Sequence, residues 1–146
     1  MFIFDEEIGF LLARTRDMGL DLGAHRESGK LIIEQVDAAE MSPGEFAHKV
    51  RAHVDSGGIR TVVIDSLNGY QAAMPADHFL ILHMHELLSF LDRRGVLTLV
   101  TVAQHGMVGG DMRSQVDATY LSDNVVLLRF FEALGRVRRA ISVVKK

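Results

Sequence analysis

With 146 residues the chain can build one domain with a substantial core and is too short to expect two. Apolar residues make up 48% and charged residues 24%, and a formal net charge of −3 leaves no basic field for nucleic acid. Cysteine is absent, which excludes disulfides and thiolate metal sites. No apolar run reaches the length of a membrane helix, and MFIFDEEIGF lacks the basic start and cleavage site of a signal peptide. A cytoplasmic location is the resulting expectation.

The chain opens on an apolar run, Phe2 to Phe4, that predicts a strand starting at the first residue. A helix is expected from about Glu6 to Met18, broken at Gly19, and a second strand over Lys30 to Val36. "SPGEF" marks a helix start, with Ser42 as N-cap, Pro43 at the first helical position and Glu45 closing a capping box. That helix ends near Ser56 to Gly58, and Thr61 to Ile64 forms the third strand, followed by a loop over Asn68 to Pro75. Ala76 to Arg94 is the longest helix, apolar on most sides and so expected to be covered on more than one face. Val96 to Val102 is a fourth strand, "AQHGMVGGDMRSQ" a glycine-rich loop, and Val125 to Phe131 and Val137 to Val144 a hairpin joined through "EALGR". Alternating strands and helices predict an α/β fold, a mostly parallel sheet with flanking helices and an antiparallel hairpin at the end. There is no internal repeat.

In an open parallel sheet, ligands gather outside the carboxyl ends of the strands. Three strands end in polar groups there: Asp5-Glu6, Asp65-Ser66 and Gln104-His105. An ionised carboxylate at the end of a core strand is costly without a compensating partner. Converging acids can hold a hydrated divalent cation and orient a water, which gives Asp65 its partner. The bland alternative is that each acid caps the next helix. It suits Asp5 and Glu6 better than Asp65, which a loop is expected to follow.

The residues also carry a resemblance. "FDEE", followed after a helix by "GLDL", resembles the stretch around the paired catalytic acids of the KaiC-like branch of the RecA-type ATPases, the family of the circadian clock protein. "VVIDSLNGY" resembles that family's Walker B strand, and "YLSDNVVLLRFFEALGRVRRAISVVKK" its late strands and hairpin. The likeness covers essentially the whole chain and implies a single partial RecA-like ATPase domain over residues 1–146, its Walker A strand and loop absent. It implies that Asp5 and Glu6 orient or deprotonate the attacking water. Asp65 would hold Mg²⁺ through water, with Ser66 beside it at the nucleotide. Gln104 would sense the γ-phosphate of ATP, and Lys145, matching the lysine of a Lys-x-Arg finger, would reach the nucleotide of an adjacent subunit. Such a cation in trans stabilises charge on the transferring phosphoryl group.

The departures are equally specific. Asp5 stands where the family has glutamate, and Thr119-Tyr120 where the clock protein has its phosphorylatable pair, so autokinase activity is not implied. No G-x-x-x-x-G-K-[ST] occurs anywhere, and the chain stops one residue before the finger arginine. The expectation is a fragment of a larger ATPase, N-terminally truncated, inactive alone and binding no cofactor tightly. In the family the missing strand sits beside the one ending at Gln104. Its loss exposes strand edges that seek partners, so a homo-oligomer is expected, most simply a two-fold dimer. Other domains of the parent are further expected partners; membrane and nucleic acid are not.

Two rivals come from other classes: a receiver-like phosphoacceptor switch built on "FDEE" and Asp65, and an assembly module without chemistry. Against the receiver, Arg129 stands where that fold needs a lysine, and the terminal hairpin is foreign to it. "HMHE", His83 to Glu86, is not the H-E-x-x-H zinc pattern, and His78 and His85 lie roughly 10 Å apart along a helix. Arg136, Arg138 and Arg139 form a basic cluster that suits either a solvated edge strand or a subunit interface. The seven methionines read as core filler.

Overall fold

Residues 1–72, 77–103 and 121–145 are described by the computed structural model. They divide into two compact units, Met1–Val102 and Ala103–Lys146. The first holds β1 (Phe2–Ile3), α1 (Ile8–Asp17), α2 (Leu22–Glu27), β2 (Glu34–Gln35), α3 (Pro43–Asp55), β3 (Thr61–Asp65), α4 (Leu67–Ala72), α5 (Asp77–Arg93) and β4 (Leu97–Val100). Its four strands are all parallel, in the order β2-β1-β3-β4. Parallel pairing puts every carboxyl end on one edge, and Ile3 stands opposite Asp65 in the register. The second unit holds β5 (Val125–Ala133) and β6 (Arg136–Lys145), an antiparallel hairpin.

The core lies on both faces of the short sheet. Phe2, Ile3, Val62 and Ile64 are buried, as are Phe46 and Val50 of α3 and Leu11 of α1. Leu80, Met84, Leu87 and Leu91 recur at helical spacing along α5 and are all at most 1% exposed. Each contributes about 1.5–3 kcal/mol by leaving water. The other side of α5 differs from expectation: Phe79 and Leu82 are more than half exposed, so the helix buries a single stripe among the described residues.

Three more differences have local causes. The second strand is shorter than Lys30 to Val36, because the amides of Lys30 and Leu31 turn back to the His25 carbonyl (3.0 and 3.1 Å). That turn closes α2, a short helix that no apolar period announces. Its N-cap is Asp21, whose side chain accepts from the Ala24 amide. In place of the expected loop after Asn68 stands α4, anchored by fully buried Tyr70, whose ring lies 5.1 Å from Phe46 and 6.1 Å from Phe4. Residues 73–75 of that loop, and the glycine-rich loop from Gln104 onward, lie outside the described residues.

The α3 start follows its sequence signal. Ser42 accepts from the Glu45 amide (3.3 Å), and the Glu45 carboxylate accepts from the Ser42 amide (2.8 Å). The hairpin turns through Leu134 and Gly135, both at positive φ (55° and 67°), the twist a two-residue turn requires.

Candidate functional site

Neighbouring parallel strands β1 and β3 bring Asp5 and Asp65 to one edge of the sheet. The ladder runs past the last strand residue, with the Phe4 amide donating to the Asp65 carbonyl (2.9 Å). Behind this edge Phe2, Phe4, Phe46 and Tyr70 pack as an aromatic wall, with centroid distances of 5.1 to 6.1 Å. The wall fixes the end of β1 and leaves the two carboxylates at its rim.

Each acid has its own hydroxyl donor. Ser66 Oγ, on a residue only 8% exposed, donates to Asp5 Oδ2 (2.8 Å), and Thr101 Oγ1 donates to Asp65 Oδ1 (2.5 Å). Ser66 Oγ also accepts from the Gly69 amide in the first turn of α4, and the Asp65–Ser66 peptide is cis. Ser66 is therefore the link between β3, α4 and Asp5. Thr101 comes into place because β4 runs parallel to β3: its amide donates to the Ile64 carbonyl, and the Leu67 amide donates back to its own (3.0 and 2.9 Å).

Gly69 completes the packing. A Cβ there would sit 2.2 Å from Phe4 Cβ and 3.2 Å from Asp5 Oδ1, so only glycine lets α4 lie against the end of β1.

Glu6 is handled differently. Arg14, two turns along α1, grips both its carboxylate oxygens, Nε to Oε1 at 3.0 Å and Nη2 to Oε2 at 2.6 Å. The guanidinium hydrogen bonds hold the Glu6 carboxyl below its ordinary range. No sequence motif marks either Arg14 or Thr101 as part of the site. The signal for Thr101 was the parallel register beside Asp65; no spacing rule marks Arg14.

Of the residues expected at the site, the structure brings Asp5, Asp65 and Ser66 together and keeps Glu6 next to Asp5. Gln104, Thr119 and Tyr120 lie outside the described residues. Lys145 is the last residue of β6, opposite Val125 in the second unit. Glu86 of "HMHE" is committed elsewhere, accepting from Arg51 of α3 at 2.8 Å.

Among the described residues no three His, Asp or Glu side chains cluster as metal ligands. Asp65 nevertheless offers hard oxygen donors at this edge, with Asp5 on the neighbouring strand end. That donor set fits Mg²⁺, which keeps most of its waters and takes one or two carboxylates with substrate phosphates.

The strand order alone does not identify the site, because β2-β1-β3-β4 also begins the receiver and flavodoxin-like folds. The antiparallel hairpin separates it from them. No helix among the described residues is long and apolar enough to cross a membrane. Comparison with curated proteins gave no significant match. A family model described as "ATPase: KaiC" matches residues 1–146, the entire sequence, and the chain therefore belongs to the KaiC ATPase family.

Proposed function

We propose that this chain supplies the metal and water-activating half of an ATP-hydrolysing site in a KaiC-type ATPase. Asp65 would hold Mg²⁺, which would neutralise phosphate charge, and Thr101 orients its carboxylate. Asp5, held by Ser66, and Glu6 orient or deprotonate the attacking water. Gln104 senses the γ-phosphate, and Lys145 reaches the nucleotide of a neighbouring copy in a homo-oligomer. Residues 1–146 form part of a single domain of this kind, in which a P-loop outside this sequence would hold ATP.

The observation that carries the reading is the placement of Asp5 and Asp65 on adjacent parallel strand ends, each with a dedicated hydroxyl donor. The state of β4 supports it too. Among the described residues β4 pairs only with β3, which leaves its other edge open to a further strand.

The test uses this chain joined to a P-loop segment. Glu6→Gln should cut kcat by about 10²–10⁴-fold, the usual worth of a general base, while the Kd for nucleotide stays within about threefold. Asp65→Ala should weaken Mg²⁺-dependent nucleotide binding. Equal loss of binding and turnover in Glu6→Gln would remove Glu6 from the assigned role.

A further inference from the structure

Asp5, Glu6 and Asp65 stand together at the carboxyl ends of β1 and β3, and they are not held alike. Asp5 and Asp65 each receive a neutral hydroxyl on one oxygen, from Ser66 and Thr101. Glu6 has both oxygens taken by the Arg14 guanidinium, Nε on Oε1 at 3.0 Å and Nη2 on Oε2 at 2.6 Å. Such a fork fixes the plane of the carboxylate and fills the lone pairs that face it. It ties Glu6 to α1, whereas Asp65 ends β3.

Two features make the fork releasable. It is open to water, with 55% of the Arg14 side chain and 29% of the Glu6 side chain exposed, and exposed ion pairs are weak. Arg14 also stands within electrostatic reach of the neighbouring strand end. Its pKa is raised first by the hydrogen bonds to Glu6 and, beyond these, by the charge of Asp65. The backbone geometry agrees: the Phe4 amide, two residues before Glu6, donates to the Asp65 carbonyl (2.9 Å). One guanidinium therefore serves the negative field of two carboxylates.

We propose that Arg14 is a latch on Glu6 that opens when a divalent cation binds beside Asp65. Arg14 and that cation compete for the same negative field. Arg14, repelled by a second positive charge, gives up its fork, and the Glu6 carboxylate becomes free to turn toward water at the strand ends. Arg14 is a positioning residue: it acts only through Glu6 and couples that carboxylate to metal loading. Linkage makes the coupling reciprocal, so the factor by which the cation loosens the fork is the factor by which Arg14 weakens the cation. The latch rests on Asp65 as the metal carboxylate of the proposed function and not on ATP or a P-loop.

The full chain tests it without nucleotide. Mn²⁺ is titrated into the isotopically labelled chain, and its Kd is read from the broadening of the Asp65 to Gly69 amide signals. Arg14→Gln should tighten Mn²⁺ by about three- to tenfold. Arg16→Gln removes the same charge from the same helix, but this guanidinium lies toward Gly23, 3.6 Å from where a Cβ there would stand. It should change the Kd by less than about twofold. Both arginines are exposed, and circular dichroism checks that the variants are folded. The second readout is the Arg14 Nε–H signal, which saturating Mg²⁺ should move toward its position in Glu6→Gln, where the charged pair is gone. An Asp65-dependent Kd that Arg14→Gln leaves unchanged, or that Arg16→Gln lowers equally, overturns the latch and leaves the metal assignment standing. So does an Arg14 signal that saturating Mg²⁺ does not move. Broadening indifferent to Asp65→Asn in both the wild type and Arg14→Gln overturns the two together.

Discussion

Gly69 shows how much of the site depends on one missing atom. Gly69→Ala forces a Cβ to within 2.2 Å of Phe4 Cβ, an atom tied to the backbone of β1, so α4 or the strand end must move. The expected cost is about 1–3 kcal/mol in chemical denaturation, the range for overpacking. Tyr70 offers the opposite case. Its ring is buried in the aromatic wall, its hydroxyl has no hydrogen-bond partner among the described residues, and burial pushes its pKa up to about 12. Tyr70→Phe should therefore leave stability unchanged or raise it by about 1 kcal/mol, since no bond is lost and a desolvated polar atom is removed. A loss beyond 1 kcal/mol would mean that the hydroxyl does have a partner.

Among the elements, β2 and α3 are joined by charge. Glu34 forms ion pairs with Lys49 (2.5 Å) and His53, and both partners lie on α3. Burial alone would raise the Glu34 pKa, but the Lys49 and His53 hydrogen bonds outweigh it and the net shift is downward. A lowered carboxylate pKa adds stability above the unfolded value, ordinarily 4.5, and that stability is lost as pH falls through the folded value. Glu34→Gln should therefore flatten the acid limb of the stability profile below about pH 4.5, as read by urea midpoints across pH. The hairpin turn is a second test. Leu134 holds φ 55° while 92% exposed, a left-handed conformation that costs an ordinary residue about 1–2 kcal/mol. Leu134→Asn should slow amide exchange across β5 and β6.

These elements also show what sequence could supply. The α3 capping box, the long helix α5 and the hairpin were legible because each has a local cause: a serine and glutamate three apart, a helical apolar period, two alternating runs around a glycine. The second strand and α4 were not. Whether Lys30 and Leu31 pair in a sheet or turn back to His25 is settled by tertiary hydrogen bonding. The helix after Asn68 is held by Tyr70 packing on Phe4 and Phe46, contacts of long range in sequence. The site divides the same way: Asp5 and Asp65 could be read from strand ends, while Thr101 and Arg14 needed the register and the fold.

At the scale of the molecule, the sequence contains acids at the strand ends and no G-x-x-x-x-G-K-[ST] motif to cradle phosphates beside them. The chain alone should release no phosphate from ATP above background, because positioning supplies most of phosphoryl-transfer catalysis. Turnover abolished by Asp65→Ala would contradict this. The central claim, that the ends of β1 and β3 form a divalent-metal site, is tested most directly by titrating Mn²⁺ into the isotopically labelled chain. The paramagnetic ion should broaden the amide signals of Phe4 to Glu6 and Asp65 to Gly69 first, with Mg²⁺ competing, and Asp65→Asn should abolish the effect. Uniform broadening spread over the exposed carboxylates, indifferent to Asp65→Asn, would contradict the account.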